Sequence, residues 1–174
     1  MDVRLAIPGD ECAIAEVHVE SWKTTYQGIV DENYLQSLSK SSREEMWKGV
    51  IERGFNESCL FVALIDGKVV GFASGGPERT KKYGIDTELY AIYLLKENQG
   101  RGIGKKLIQE VASFLMEKDH FSMLVWVLTE NPCKHFYLSF CPEELDTEQI
   151  KIGENSYEET AYVWKDLRKL IREG

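Results

Sequence analysis

No stretch of this 174-residue chain approaches the ~18 consecutive apolar residues of a membrane span. The N-terminus, Met1-Asp2-Val3-Arg4, has no apolar signal core either. The expectation is therefore a cytoplasmic protein with no membrane partner. Positive charge is in the minority, with 21 basic against 29 acidic residues and a net charge of −8. That argues against a nucleic-acid surface, which needs clustered cations. It is compatible with a cationic substrate such as an amine or polyamine, and equally with acidity that only keeps the protein soluble. Cysteine and histidine are scarce. Cys12, Cys59, Cys133 and Cys141 form no Cys-x-x-Cys pair, and His18, His120 and His135 build no ligand spacing with them. The expectation is no bound metal and reduced structural thiols. There is no internal repeat, low-complexity tract or linker. With 43% apolar residues, the length suits one domain over residues 1–174.

What the chain does have is one organising stretch, Glu88 to Leu107. Glu88-Leu89-Tyr90-Ala91-Ile92-Tyr93-Leu94-Leu95 is apolar, aromatic and nearly free of charge, so it reads as a buried strand. After Lys96-Glu97-Asn98 comes Gln99-Gly100-Arg101-Gly102-Ile103-Gly104-Lys105-Lys106-Leu107, which opens a helix continuing through Ile108, Val111, Ala112 and Leu115. Glycines at alternate positions leave the backbone uncovered where the helix begins. Free amides at a helix N-terminus, reinforced by the helix dipole, form an anion site suited to a phosphate or pyrophosphate. The alternative is a tight turn that merely needs glycine.

Two phosphate loops are excluded. A Walker loop places a hydroxyl where Lys106 stands and glycine where Gln99 stands. A dinucleotide fingerprint counted from Gly100 and Gly102 requires a third glycine at Lys105. The pattern that fits is Gln/Arg-x-x-Gly-x-Gly/Ala, with Gln99, Gly102 and Gly104 in the fixed places. Through these residues, between an apolar strand and an amphipathic helix, the chain resembles the GNAT superfamily of GCN5-related N-acetyltransferases. In that family this loop holds the pyrophosphate of acetyl-coenzyme A.

Along the chain, Val3–Ile7 alternates as a first strand, ended by Pro8-Gly9. Asp10 is placed to cap a helix to about Thr25, Asp31 one to Leu38, and a third helix covers Ser42–Arg53 with Met46, Trp47, Val50 and Ile51 inward. Leu60–Ile65 and Lys68–Ser74 form a hairpin about Asp66-Gly67, with Gly75-Gly76-Pro77 ending the second strand. Glu78 to Ile85 is a loop. Met123–Leu128 is a buried strand, Asn131-Pro132 precedes a short helix to about Ser139, and Glu148–Gly153 pairs with Ser156–Trp164 before a helical turn to Arg172. The parallel pairing of the Met123 strand with the Glu88 strand follows from a helical crossover. The resemblance makes this an α/β domain, a mixed twisted β-sheet flanked by helices on both faces.

Acetyl transfer to an amine requires a neutral nucleophile, a stabilised carbonyl oxygen and a proton for the departing thiolate. A lysine-like amine, pKa ~10.4, is mostly charged near neutrality and needs a base or a desolvating site. The resemblance implies acetyl-coenzyme A as co-substrate, with pyrophosphate on Gln99, Gly100, Arg101, Gly102, Ile103, Gly104 and Lys105. It implies Asn131 on the pantetheine arm and Tyr137, in Asn131-Pro132-Cys133-Lys134-His135-Phe136-Tyr137, as the acid at the sulfur. Tyr137 as a core aromatic is the alternative. The family continues with Leu-Gly-Phe or Leu-Gly-Gly; here Ser139-Phe140-Cys141-Pro142 lacks the glycine, which should alter the turn. Glu88, eleven residues before Gln99, stands where histone-acetylating members carry a base, and a structural role is the alternative. Backbone amides near Leu94 and Leu95 are the oxyanion candidates, through a bulge that the family carries in this strand. Trp22, Tyr26, Tyr34 and Trp47 could wall an ammonium acceptor or simply be core. The implied reaction is direct attack by a small-molecule or peptide amine, because no cysteine or serine sits beside an evident base. A non-catalytic acyl-coenzyme A sensor on the same fold is the rival, and O-acylation or a longer acyl chain stays open. A homodimer through the final hairpin is implied by family analogy.

Overall fold

Asp66 and Gly67 both take positive φ, 50° and 78°, as a type I′ hairpin turn requires. The structure is a computed structural model and describes residues 1–172. Its elements are β1 (Asp2–Leu5), α1 (Glu11–Thr25), α2 (Glu32–Ser37), α3 (Lys40–Arg53), β2 (Cys59–Ile65), β3 (Lys68–Pro77) and β4 (Thr87–Leu94). After a 3-10 turn at Lys96–Asn98 follow α4 (Ile103–Met116), β5 (Met123–Leu128), α5 (Lys134–Leu138), β6 (Glu143–Ile152), β7 (Asn155–Trp164) and α6 (Arg168–Arg172). All seven strands form one sheet in the order β1-β2-β3-β4-β5-β7-β6. Only β4 and β5 are parallel; every other neighbouring pair is antiparallel. This is the expected mixed sheet, with α4 as the crossover.

The sheet is buried on both faces because alternate side chains of its central strands serve different helices. Phe61 and Ala63 of β2 face the cluster that holds Leu107, Val111 and Leu115 of α4. Leu60 and Val62 face Ile14 of α1 and Trp47 and Ile51 of α3. The fully buried stripe on α4, Leu107, Ile108, Val111, Ala112 and Leu115, has the 3-4 spacing of a helix lying on a sheet.

Several local expectations need correction. Asp10 does not cap α1: it is helical itself and makes no capping bond. Its carboxylate instead accepts from the Arg4 guanidinium at 2.7 and 3.1 Å and from the Ile7 N–H, so it ties β1 to the start of α1. Asp31 does cap α2, accepting from the Tyr34 N–H. The third helix begins at Lys40, capped by Ser39 rather than starting at Ser42, and Met46 on it is 40% exposed. The first strand stops at Leu5.

β3 continues through Gly75, Gly76 and Pro77, where the sequence suggested a break. The glycines are there for clearance: a Cβ on Gly75 would lie 2.7 Å from Val111 Cγ1, and one on Gly76 would lie 2.8 Å from the Tyr90 hydroxyl. β6 starts at Glu143, five residues before the expected strand. It is an edge strand, so Glu143 to Thr147 present polar groups on both sides and show no apolar alternation.

The pairing of β3 with β4 carries a bulge. Ser74 opposes Ala91 and Gly75 opposes Leu89, which leaves Tyr90 as the extra residue. On its other side β4 pairs with β5 only at Thr87–Met123 and Glu88–Leu124. Beyond those two positions the parallel strands part.

Close packing of α4 at the bulge predicts the effect of Gly75→Ala. The added methyl meets β-branched Val111 and lies 3.2 Å from the Glu88 carbonyl, so stability should fall by about 1–3 kcal/mol. Val111→Ala in the same chain should recover part of that loss, read as a non-additive double-mutant cycle in denaturant unfolding.

Candidate active site

Where β4 and β5 part, a cavity of about 590 Å³ opens. Leu89–Leu94 form one wall and Val125–Val127 the other, while Gly100, Gly102, Gly104 and Lys105 close one end. Backbone polar groups on the inner edges of two splayed strands have no ladder partner and need one.

At the glycine end, Gly100 and Gly102 take φ of 71° and 79°, the left-handed region that glycine enters without penalty. Gly102 is the N-cap of α4 and no side chain caps the helix. Its carbonyl takes the Lys106 N–H at 3.1 Å, so the first-turn amides of Ile103, Gly104 and Lys105 precede any intrahelical bond. Gly104 has a second purpose. A Cβ there would lie 3.0 Å from Phe136 and 3.3 Å from Leu94. Only glycine lets α5 lie this close to α4, and that contact sets where Tyr137 stands.

Tyr137 lines the cavity, half-buried, with its ring edge-to-face on Phe136 at 5.2 Å. Among the described residues nothing hydrogen-bonds its hydroxyl. Burial, then Tyr93 and Cys133, push its pKa far above the usual phenol range, so it stays protonated. Asn131 is 4% exposed and also lines the cavity. Its Oδ1 accepts from the Cys133 N–H at 2.9 Å, while its Nδ2 has no partner among the described residues. In the absence of the family glycine, Cys141 takes the positive φ, 49°, at the turn after α5.

The amide candidates separate. Leu95 N–H donates to Val70 O at 3.0 Å and is spent. By the alternation of an antiparallel pair, the Leu94 N–H then points away from β3 toward the cleft. The Gln99 amide donates to Leu94 O at 3.4 Å, tying the glycine loop to that point of β4. Arg101 is exposed, and Ile103 is 2% exposed within the core; neither side chain lines the cavity, so each contributes backbone only.

Glu88 is 2% exposed and is absent from the cavity wall. The Arg79 guanidinium holds it at 2.6 and 3.2 Å, and the Arg79 N–H at 3.3 Å. The segment from Glu78 to Ile85, expected only as a loop, is built around a second buried carboxylate, Glu78, which accepts from the N–H and hydroxyl of Thr80 at 2.8 Å.

Of the four candidate acceptor-wall aromatics, the structure brings only Tyr26 to the cavity. Trp47 is core, its indole N–H donating to His18 Nδ1 at 3.1 Å. Trp22 packs edge-on against Tyr26 at 4.6 Å, and Tyr34 lies behind it. Tyr93 and Trp126 also line the cavity and were not singled out from sequence, and Cys133, expected only as a structural thiol, lines it too. The position of Tyr93 depends on the bulge at Tyr90, which leaves no mark on the residue pattern.

Residues 19–141 match the family model described as the acetyltransferase (GNAT) family. An uncharacterised N-acetyltransferase, YuaI, of Bacillus subtilis is 42% identical over 90% of this chain and 88% of its own length. The spermidine N(1)-acetyltransferase of Thermoplasma acidophilum is 31% identical over 68% of this chain and 72% of its own. Among solved structures, the PaiA N-acetyltransferase of Thermoplasma acidophilum in complex with coenzyme A superposes with a TM-score of 0.74. It is 25% identical and covers 91% of this chain and 96% of that one.

One carboxylate near this site makes a testable statement. Glu159 of β7 is half-buried, and its pKa is pushed up to about 7 by burial first, then by Glu148 and Glu88, with Arg79 opposing. A carboxyl raised in the folded state binds more protons folded than unfolded, so stability falls as pH rises from the ordinary carboxylate range through about 7. Glu159→Gln removes that loss. Its melting temperature should exceed wild type at about pH 8 and converge with it at about pH 4; an offset independent of pH would mean that the carboxylate is relaxed by solvent.

Proposed function

We propose, for a chain that belongs to the acetyltransferase (GNAT) family, that the cavity between β4 and β5 binds acetyl-coenzyme A and delivers its acetyl group directly to a primary amine. The carrying observation is that the uncapped N-terminus of α4 and the unpartnered Tyr137 hydroxyl open on one cavity. The residues fit the co-substrate. First-turn amides of α4, with Gly100 and Lys105, suit a pyrophosphate. The free Nδ2 of Asn131 and the open edges of β4 and β5 suit the amides of an extended pantetheine arm.

Bound acetyl-coenzyme A supplies an activated thioester. Leu94 N–H is aimed where a carbonyl oxygen gaining charge would be stabilised. Tyr137, kept neutral by burial, donates the proton that the thiolate requires. Cys133 lines the same cavity but burial raises its pKa, which leaves it a poor nucleophile and favours direct attack over an acetyl-enzyme. Glu88, locked on Arg79 outside the cavity wall, is assigned to holding Arg79 and the 78–86 segment in place rather than to touching the amine.

The acceptor we favour is cationic before it reacts, a small polyamine ahead of a peptide amine. Glu148 and Glu88 lie close enough to raise the proton affinity of Glu159, on the sheet face that continues from Trp126 of the cavity wall through the Leu128–Glu159 pairing. Such a face neutralises an ammonium-bearing chain. One relative is named a spermidine acetyltransferase. The reading includes a cytoplasmic enzyme and a homodimer closed through the outer hairpin β6–β7.

The test is thiol release from acetyl-coenzyme A over polyamines, amino acids, aminoglycosides and peptides. A thermal shift with coenzyme A should appear in wild type and in Tyr137→Phe alike, while kcat in the variant drops by about 10²-fold. No thermal shift in either protein sinks the phosphate-loop assignment. Equal kcat in both makes Tyr137 a structural aromatic.

A further inference from the structure

The attacking amine must shed a proton, and the cavity offers no ordinary base. Among the described residues that line it, none is a carboxylate or an imidazole. What it does hold is a pair of phenols. Tyr26, at the end of α1, and Tyr93, on β4, both line the cavity with their hydroxyl oxygens 3.4 Å apart.

Both rings are fixed from behind. Tyr93 stacks on His18 at 5.5 Å and 16° and leans on Phe72. Tyr26 is 8% exposed and wedged against Trp22. The other phenol on β4 is spoken for, since Tyr90 donates to Pro77 O at 2.5 Å. Among the described residues the Trp22 indole N–H is buried without a partner, an unspent donor behind the pair.

A hydroxyl has a lone pair to accept a proton and a proton of its own to pass on. Two in contact can carry one proton without either becoming charged. We propose that Tyr93 and Tyr26 form a hydroxyl relay that removes the proton from the attacking amine and passes it to solvent, so that Tyr93 is a catalytic residue and Tyr26 its outlet. This rests on the acetyl-transfer reading above.

The step balances. The amine nitrogen forms the C–N bond, and the carbonyl π pair moves to oxygen, facing Leu94 N–H. The proton on nitrogen passes to the Tyr93 oxygen as the Tyr93 proton passes to Tyr26 and the Tyr26 proton to water. The carbonyl then re-forms, the C–S bond breaks with its pair on sulfur, and Tyr137 protonates that sulfur and recovers its proton from water. Amine and acetyl thioester go in; amide and free thiol come out.

The surroundings favour neutral relay over a phenolate base. Burial pushes both phenols up, and the Tyr26–Tyr93 contact further raises Tyr26. The other titratable or charged groups acting on the pair are Arg43, Cys133 and Tyr137; His18, stacked beneath Tyr93, is itself pushed down to about 4 by burial and then by Arg43. The imidazole beneath Tyr93 is therefore neutral and does not compete for the proton.

The experiment compares Tyr93→Phe and Tyr26→Phe with wild type, using spermidine as the probe amine. Each change removes one oxygen, and the thermal shift with coenzyme A reports whether the fold and co-substrate site survive. The expected result is a fall in kcat of about 10²-fold, with the residual rate climbing as pH rises and hydroxide takes over the proton. Calorimetric binding of spermidine to the coenzyme A complex should be unchanged. Wild-type kcat and pH profile in both variants would overturn the relay while leaving acetyl transfer intact. Weakened spermidine binding that accounts for the whole loss would also overturn it, making the pair a wall. A wild-type protein that binds coenzyme A yet releases no thiol with any amine overturns the parent reading and the relay together.

Discussion

The parting of β4 from β5 is the constraint on which everything else in this molecule depends. Two parallel strands pair at Thr87–Met123 and Glu88–Leu124 and then separate, which exposes backbone donors and acceptors that water or a ligand must satisfy. The separation is held open from both sides. Toward β3, the extra residue Tyr90 re-aims β4, and Gly75 and Gly76 admit α4 and the Tyr90 ring without a Cβ in the way. Toward β7, β5 is paired along its length, from Met123–Trp164 to Leu128–Glu159. Neither strand can close on the other without breaking a ladder it already has.

The cavity stays rigid because both faces of the sheet are filled. α4 occupies one face with a fully buried stripe, and α1 and α3 occupy the other through Ile14, Trp47 and Ile51. α4 also leaves its first turn uncapped at the cavity, so the element that packs best is the one that presents free amides. Gly104 connects the two roles. By admitting the Phe136 ring against the helix, it fixes α5, and with it Tyr137 and the Asn131 turn that starts α5. The uncovered first turn of α4 and the Tyr137 hydroxyl are thus placed by one helix–helix contact.

Features carried by local chemistry were legible in the sequence. Asp66-Gly67 announced its turn, Asp31 its cap, and Gly100 to Gly104 the uncovered start of α4, because each depends on a few adjacent residues. The resemblance carried Asn131 and Tyr137, and the structure places both on the cavity wall with the loop. Long-range pairings were hidden. Asp10 looked like a cap, but a guanidinium six residues back claims its carboxylate. Glu88 looked available, yet Arg79 across a loop encloses it. Leu95 N–H looked free, but β3 takes it. The first half of the edge strand β6 lacks the apolar alternation that Ile150 and Ile152 give its second half, and Tyr93 owes its place to a bulge that pairing, not composition, creates.

Keeping carboxylates out of the cavity has a physical logic. An amine of pKa ~10.4 is neutral in only about one molecule in 10³ to 10⁴ near pH 7, a deficit of about 4–5 kcal/mol. A carboxylate in the cavity would hold the ammonium as an ion pair and deepen that deficit, because an opposite charge stabilises the charged form. Aromatic walls do the reverse: burial disfavours the cation and lowers the amine's pKa toward the working range. Charge is useful outside, where a surface such as that of Glu148 and Glu159 can gather a cation before it is desolvated. Within, the phenols and the thiol that line the wall, Tyr26, Tyr90, Tyr93, Tyr137 and Cys133, are each held toward their neutral form by burial. Away from Lys105 at the glycine end, a wall built this way favours the free base of an amine, and hydroxyls rather than a carboxylate are the groups it offers for the proton.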